Sequence, residues 1–247
     1  MSDSFVVWFS QTARLPAAEQ TRPGHQPRAP PAHSEKGGLY LRRVRRKLIS
    51  SDPQRPAILS RIRQIWRHLP DNGVLLYFDV KPIYVKAYGG RRYTSAPRLV
   101  LPRQQTTRGC FYLFATYEVN SGRVRWAFLE GKSSAFVIRF LQRVRRWYPE
   151  QQVWVALDQD RAHPCKSQAT RQALREMKLH WVSLPKGSPD DNPVEALFSD
   201  VQLMILDNSN DADISTTQRR ISAHWRRRNR RQDRQIRIPY LGDSHEQ

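Results

Sequence analysis

Val74-Leu75-Leu76-Tyr77-Phe78-Asp79 is an unbroken apolar run closed by a carboxylate, and Val153-Trp154-Val155-Ala156-Leu157-Asp158 repeats the pattern later in the chain. Short runs rich in branched and aromatic residues, without polar alternation, read as strands buried on both faces, as in a sheet covered by helices. An acid directly after such a run sits at the strand's C-terminal end. Open α/β sheets place ligands outside those ends, so two neighbouring strands can aim their carboxylates at one ion while the rest of each strand stays dry. Taken singly, either acid reads better as the first solvated residue past a strand.

A third acid has a different setting. In Ser188-Pro189-Asp190-Asp191-Asn192-Pro193-Val194-Glu195, Asn192 is a good N-cap and Pro193 suits the first helical position. Glu195 then falls in the first turn, where the helix dipole stabilises a carboxylate by ~0.3–1 kcal/mol with or without a metal nearby. Three fixed carboxylates suit Mg²⁺, a hard cation that keeps several waters and accepts phosphate oxygens at its remaining positions. Asp79, Asp158 and Glu195 are therefore the candidate metal ligands and catalytic residues. Two Mg²⁺ ions, with Mn²⁺ as a substitute, typically ~3.5–4 Å apart, activate water and steady the leaving oxygen of a phosphodiester. Asp160 rivals Asp158 for the second position, whereas Asp190 and Asp191 read as turn or capping groups.

Around these acids, from about Ser51 to Leu206, the sequence resembles the DDE transposases of the mariner superfamily in their bacterial insertion-sequence branch. Leu184-Pro185-Lys186-Gly187-Ser188-Pro189 followed by Asn192-Pro193-Val194-Glu195 is similar to that family's block around its third acid. Asp158 with His163 and Lys166 is similar to the second block. Ser51-Asp52-Pro53, a helical stretch and Asp79 resemble the approach to the first, and Thr116 to Gly122 is similar to the family's hairpin. The chain departs from many relatives in carrying Val80 after the first Asp and Gln159 after the second, and neither change removes a ligand. The 36 residues between Asp158 and Glu195 fit the family's spacing.

The resemblance implies a ribonuclease-H-like α/β domain, a mixed sheet of about five strands flanked by helices, with its first and fourth strands adjacent and Asp79 beside Asp158. It also implies metal-dependent cleavage and strand transfer of DNA between inverted repeats, by a homodimer on the DNA ends. Members normally carry helix-turn-helix units before the catalytic domain, whereas residues 1–38 here, with Pro16, Pro23, Pro27, Pro30 and Pro31, read as disordered. That mismatch supports an alternative: a truncated, catalytically inactive remnant that binds nucleic acid nonspecifically. A general metal nuclease, such as a ribonuclease H or a junction resolvase, shares the chemistry but does not predict the block ending in Glu195.

Net charge is +20, from 42 basic against 22 acidic residues, which points to a polyanionic partner such as DNA. Arg42, Arg43, Arg45, Arg46 and Lys47 form one basic block, and residues 219–237 hold nine arginines against Asp233 alone. Such runs usually grip backbone without reading bases. Candidate DNA contacts are His163, Lys166, Lys186, Arg226, Arg227, Arg228, Arg230 and Arg231, although His163 reads equally as a loop or capping residue. Trp154 and Trp181 fall in predicted strands and read as core, while Trp225, among arginines, is a candidate for base stacking.

The pattern divides the chain into a disordered segment 1–38, a basic helical lead-in 39–73, a catalytic domain 74–210 and an Arg-rich helix or tail 211–247. Predicted elements are a helix over 52–69, strands over 74–80, 111–118 and 124–129, a basic irregular insertion over 82–108, and a helix over 133–148. A strand over 153–158, a helix over 164–177, a strand over 180–184 and a helix from Pro193 follow. No stretch approaches the roughly 20 apolar residues of a membrane span, and the patch from Phe5 to Phe9 is too short for a signal segment. A location in the bacterial cytosol or nucleoid, away from membranes, is expected. Cys110 and Cys165 lack the paired spacing of a disulfide framework or a zinc site.

Overall fold

A computed structural model describes residues 50–90, 100–101 and 106–242. The segment expected to be disordered, the basic block before Ser50 and parts of the 82–108 insertion lie outside the described residues. Five strands, β1 (Gly73–Tyr84), β2 (Cys110–Glu118), β3 (Val124–Leu129), β4 (Gln152–Leu157) and β5 (Leu179–Ser183), form one mixed sheet in the order β3-β2-β1-β4-β5. The first three are antiparallel neighbours, and β4 and β5 join parallel to β1.

The apolar run of β1 has no polar alternation because both of its faces are covered. Leu75 and Tyr77 face one core, with Ala115, Ala156 and Leu197, while Val74, Leu76 and Phe78 face the other, with Phe114, Phe140 and Val155. Two helices, α2 (Ser134–Trp147) and α3 (Gln168–Glu176), cover that second face. The first face is covered by α1 (Arg55–Arg67), α4 (Pro193–Val201) with its π-helical continuation Gln202–Leu206, α5 (Ile214–Asn229) and a 3-10 turn at Pro239–Leu241. This is the expected five-stranded mixed sheet flanked by helices.

Local chemistry places the ends of these elements. Ser167 Oγ accepts from Thr170 N–H at the start of α3, Asn192 Oδ1 from Val194 N–H at α4, and Asp213 Oδ1 from Thr216 N–H at α5, each satisfying an otherwise orphaned donor. The β2–β3 turn uses Gly122 at φ +69°, a left-handed conformation that costs glycine little. Asn120 in that turn accepts from Leu75 N–H and donates to Gly73 C=O, both at 3.3 Å, stitching the hairpin to β1.

Two sequence expectations are corrected. Asp79 does not end its strand: β1 runs on to Tyr84, paired with β2 as far as Cys110, although its pairing with β4 stops at Tyr77 opposite Ala156. Past that point no strand among the described residues pairs with β1 on the β4 side, because β4 ends at Leu157, which is why Pro82, lacking an N–H, is tolerated there. Trp225 is not a stacking platform. It is 0% exposed, in line with Thr217 and Ile221 on the buried side of α5, and meets the Trp126 ring edge-on at 5.5 Å. Trp154 and Trp181, expected in the core, are half-buried at its margin.

Candidate metal centre

The ladder between β1 and β4 keeps one register from Gly73 opposite Gln152 to Tyr77 opposite Ala156. Continued two residues beyond its last pair, just past the end of β4 at Leu157, the same register places Asp158 beside Asp79. Every second residue of a strand shares a face, so both acids lie on the side of Tyr77 and Ala156, where α4 packs. Glu195 comes from the first turn of α4. All three carboxylates line one cavity of about 370 Å³, together with Asp160, Lys166, Lys186 and Asn192. Each neighbouring element supplies one acid, and the strands cannot slide without turning the first two away.

Burial pushes the Asp79 carboxyl up to about 7, and the charges of Glu195 and Asp158 add to it against the Val80 N–H that donates to Oδ1 at 2.7 Å. Asn192 Nδ2 donates to its other oxygen at 3.1 Å. Asp158 goes the other way: burial raises it, but the bond and charge of His163, with the Asp160 N–H and the charge of Lys166, together outweigh burial and leave it below the usual carboxylate value. His163 Nδ1 lies 2.5 Å from Asp158 Oδ1 and 3.0 Å from the Asp158 carbonyl oxygen. For His163 burial lowers the pKa, and Asp158 more than reverses that. The pair is thus held in its charged form.

Asp79, Asp158 and Glu195 offer hard oxygen donors, and Asp79 in particular carries a charge that its surroundings leave uncompensated. That chemistry fits a divalent cation. Among the described residues, however, no three His, Cys, Asp or Glu side chains converge closely enough to hold an ion by themselves. An arrangement this open suits Mg²⁺ better than a metal that needs a closed protein cage, because Mg²⁺ takes one or two carboxylates and fills the rest of its octahedron with water and phosphate oxygens.

The other sequence candidates separate. Lys166 and Lys186 line the cavity and are exposed, so they can meet phosphate oxygens there. His163 is only 3% exposed, packed 5.3 Å from the Phe78 ring, and works through Asp158. Asp160, the rival ligand, lines the cavity but accepts Ala162 N–H at 3.0 Å in the turn after β4. Arg226, Arg227 and Arg230 are exposed on or beside the last turn of α5, apart from the cavity. Arg228 is committed within the chain, donating to Gly122 C=O at 2.8 Å and to Arg234 C=O, and Arg231 is paired with Asp233.

Sequence reasoning missed the residues that hold the third acid's loop. Asp191, 4% exposed, accepts two bonds from Arg55 of α1. The Tyr240 hydroxyl donates to the Asp191 carbonyl oxygen at 2.7 Å and lies 2.7 Å from the buried Tyr77 hydroxyl. Asp52 Oδ2 accepts Lys186 N–H, and Ser50 Oγ donates to Lys186 C=O. Asn192 was legible as a cap but not as the link that ties α4 to Asp79. The partners lie up to 163 residues apart, so no local pattern announces them.

The family described as DDE superfamily endonuclease matches residues 74–218, more than half of the chain, and the chain belongs to that family. No curated protein matches it by sequence. Among solved structures, the fold is similar to the Mos1 transposase paired-end complex with left transposon end, at TM-score 0.59 and 15% identity, over 82% of this chain and 62% of that one. It is similar to the Mos1 mariner paired end complex with Mn, at 0.58 and 14%, over 77% and 60%. The catalytic domain of Mos1 mariner transposase matches at 0.51 and 14%, over 74% of this chain and 85% of that one. The chain thus spans about three fifths of the Mos1 chains in those complexes, and the likeness establishes the ribonuclease-H-like fold that the resemblance implied.

Proposed function

We propose that this chain cleaves and rejoins DNA phosphodiesters as the catalytic part of a DDE transposase, with Asp79, Asp158 and Glu195 as ligands for two Mg²⁺ ions that Mn²⁺ can replace. The observation that carries the reading is the β1–β4 register, which places Asp158 beside Asp79 on the face where α4 presents Glu195 to the same cavity. When bound, the ions supply charge neutralisation at the scissile phosphate and lower the pKa of an attacking water. The chain's own groups do the positioning. His163 keeps Asp158 ionised and oriented, Asn192 fixes Asp79 against α4, and Lys166 and Lys186 draw phosphate oxygens to the cavity mouth. Water and, later, a DNA 3′ hydroxyl attack in the same place, with no covalent enzyme intermediate.

Support for DNA as the partner comes from the family, the net charge of +20 and the transposon-end complexes among the similar folds. Their paired ends support a reaction on two DNA ends held together, and we propose that a homodimer of this chain holds them. We place the chain in the bacterial insertion-sequence branch on the strength of the block ending in Glu195, acting in the cytosol or nucleoid. No helix among the described residues is long and apolar enough to cross a membrane. The reading as an inactive remnant is less well supported, because all three acids line one cavity and Asn192 and His163 hold Asp79 and Asp158 in it.

Incubating supercoiled plasmid and labelled inverted-repeat DNA with the chain and Mg²⁺ or Mn²⁺ tests this, with Asp158→Ala alongside. Metal-dependent nicking that disappears in the variant is the expected result. Equal binding by both proteins with no cutting by either would establish the remnant.

A further inference from the structure

A second recess, of about 500 Å³, lies along the outer edge of the sheet, lined by Arg123, Arg125, Trp126, Trp147, Arg226 and Asn229 among others, and by no acidic residue. Its floor is the edge strand β3. Asn229 closes the start of that edge: its Oδ1 accepts Val124 N–H at 2.9 Å and its Nδ2 donates to Val124 C=O at 2.8 Å. A side-chain amide placed this way imitates a neighbouring strand and blocks β-pairing at that point. What remains for a ligand is the set of arginine and indole groups.

Arg125 is held ready for such a ligand. Its guanidinium lies 5.6 Å from the Trp147 ring and 5.1 Å from the Tyr148 ring, and its Nε donates to the Tyr148 hydroxyl at 3.2 Å. That hydroxyl in turn donates to Glu118 at 2.7 Å. The terminal nitrogens of Arg125 have no hydrogen-bond partner among the described residues, and neither do the exposed side chains of Arg123 and Arg226. A guanidinium held by cation–π contacts and the Tyr148 hydroxyl, with its terminal nitrogens unpaired among the described residues, matches a phosphate at little entropic cost. Flat indole surface beside it suits the bases of a nucleic-acid strand, whereas an acidic peptide would use the charge alone.

We infer that this recess is a second nucleic-acid site, which holds the sugar-phosphate backbone of a DNA strand through Arg123, Arg125 and Arg226 beside Trp147, apart from the catalytic cavity. Only the identity of the polyanion rests on the proposed function; the recess and its unpaired donors do not.

The test is fluorescence anisotropy with a labelled 20-nucleotide single strand and its duplex, on the full chain carrying Asp158→Ala to prevent cutting. Arg123→Gln with Arg226→Gln removes two recess charges. Arg61→Gln with Arg175→Gln removes two exposed charges elsewhere, on α1 and α3. The recess pair is expected to weaken binding about tenfold at low salt and to flatten the dependence of log K on log[salt] by about one to two, from the counterions no longer released. The distant pair should do much less. Trp147→Leu is expected to weaken single-strand binding several-fold without changing that slope, with folding checked by circular dichroism.

Equal weakening by the recess pair and the distant pair overturns the proposal, as does a polyglutamate peptide that competes as well as an oligonucleotide of equal charge. Plasmid nicking by the chain without Asp158→Ala is read in parallel. Nicking combined with undiminished affinity of the recess pair refutes the recess alone, and absence of nicking with a recess-specific affinity loss refutes the metal-nuclease reading alone.

Discussion

Arg55 grips Asp191 with two bonds, Nε to Oδ2 at 2.8 Å and Nη2 to Oδ1 at 2.7 Å, so a helix ahead of the sheet fixes the loop that delivers Glu195. The Arg55 side chain is 43% exposed and that of Asp191 only 5%, so the two partners are not equivalent. Removing Arg55 strands a buried carboxylate, whereas removing Asp191 leaves a guanidinium that water can reach. Arg55→Met should therefore cost about 2 kcal/mol, short of the 3–5 typical when a fully buried pair is broken. Asp191→Leu should cost less, and Arg55→Met with Asp191→Leu should recover part of the loss. Urea unfolding of the three variants decides it, and strictly additive costs would show that the pair contributes no coupling.

Asn192 has two tasks that one substitution can separate. Its Oδ1 caps α4 and its Nδ2 donates to Asp79. Asn192→Ser keeps a capping oxygen and loses the amide donor, while Asn192→Ala loses both, with a capping cost of about 1 kcal/mol. Asn192→Ser is expected to melt close to the parent chain yet need several times more Mg²⁺ for half-maximal cleavage. An unchanged Mg²⁺ requirement would reduce Asn192 to a helix cap.

What the sequence could and could not disclose follows from the range of each interaction. The strands of the sheet were legible because burial on both faces writes an uninterrupted apolar run, and α2 because Val137, Phe140, Leu141 and Val144 recur at helical spacing on its buried side. Three acids were singled out from strand ends and one helix start, which are local features. Lys81 and Pro82 look like a strand break, so the extension of β1 past Asp79 was hidden; the missing β4 neighbour that permits it is a tertiary fact. The stripe of α5 was hidden for another reason. Only Thr217, Ile221 and Trp225 are buried on it, and the arginines between them dominate any reading by charge.

Asp79 makes the metal-free protein sensitive to pH. Its folded pKa, about 7, lies above the ordinary value near 3.9, so the folded state binds the proton more tightly than the unfolded state. The stability this contributes is complete below about pH 4 and is lost as pH rises through about 7. Asp79→Asn should therefore stabilise the metal-free chain at pH 8 and change little at pH 4. The gain at pH 8 is of order a few kcal/mol, because each tenfold difference in proton affinity between the folded and unfolded chains is worth about 1.4 kcal/mol. Thermal melts of both proteins in chelator at the two pH values measure the difference. Equal stability at pH 8 would mean that the charge on Asp79 is compensated within the chain.

Trp225 separates a packing role from a nucleic-acid role in the arginine-rich region. The ring is 0% exposed and touches Trp126, whose own Nε1 donates to Ser222 of α5 at 3.3 Å. No partner for Trp225 Nε1 exists among the described residues, so the residue contributes bulk and burial without a polar anchor. Trp225→Ala should cost about 3–5 kcal/mol, the usual range for emptying a large aromatic site. Trp225→Phe, which keeps most of the volume and adds no unpaired group, should cost much less. Because neither change alters charge or reaches the surface, the slope of DNA affinity against salt should stay that of the parent chain for whatever fraction remains folded. A loss of affinity in Trp225→Phe with an unchanged melting temperature would return Trp225 to the stacking role that its arginine neighbours suggest.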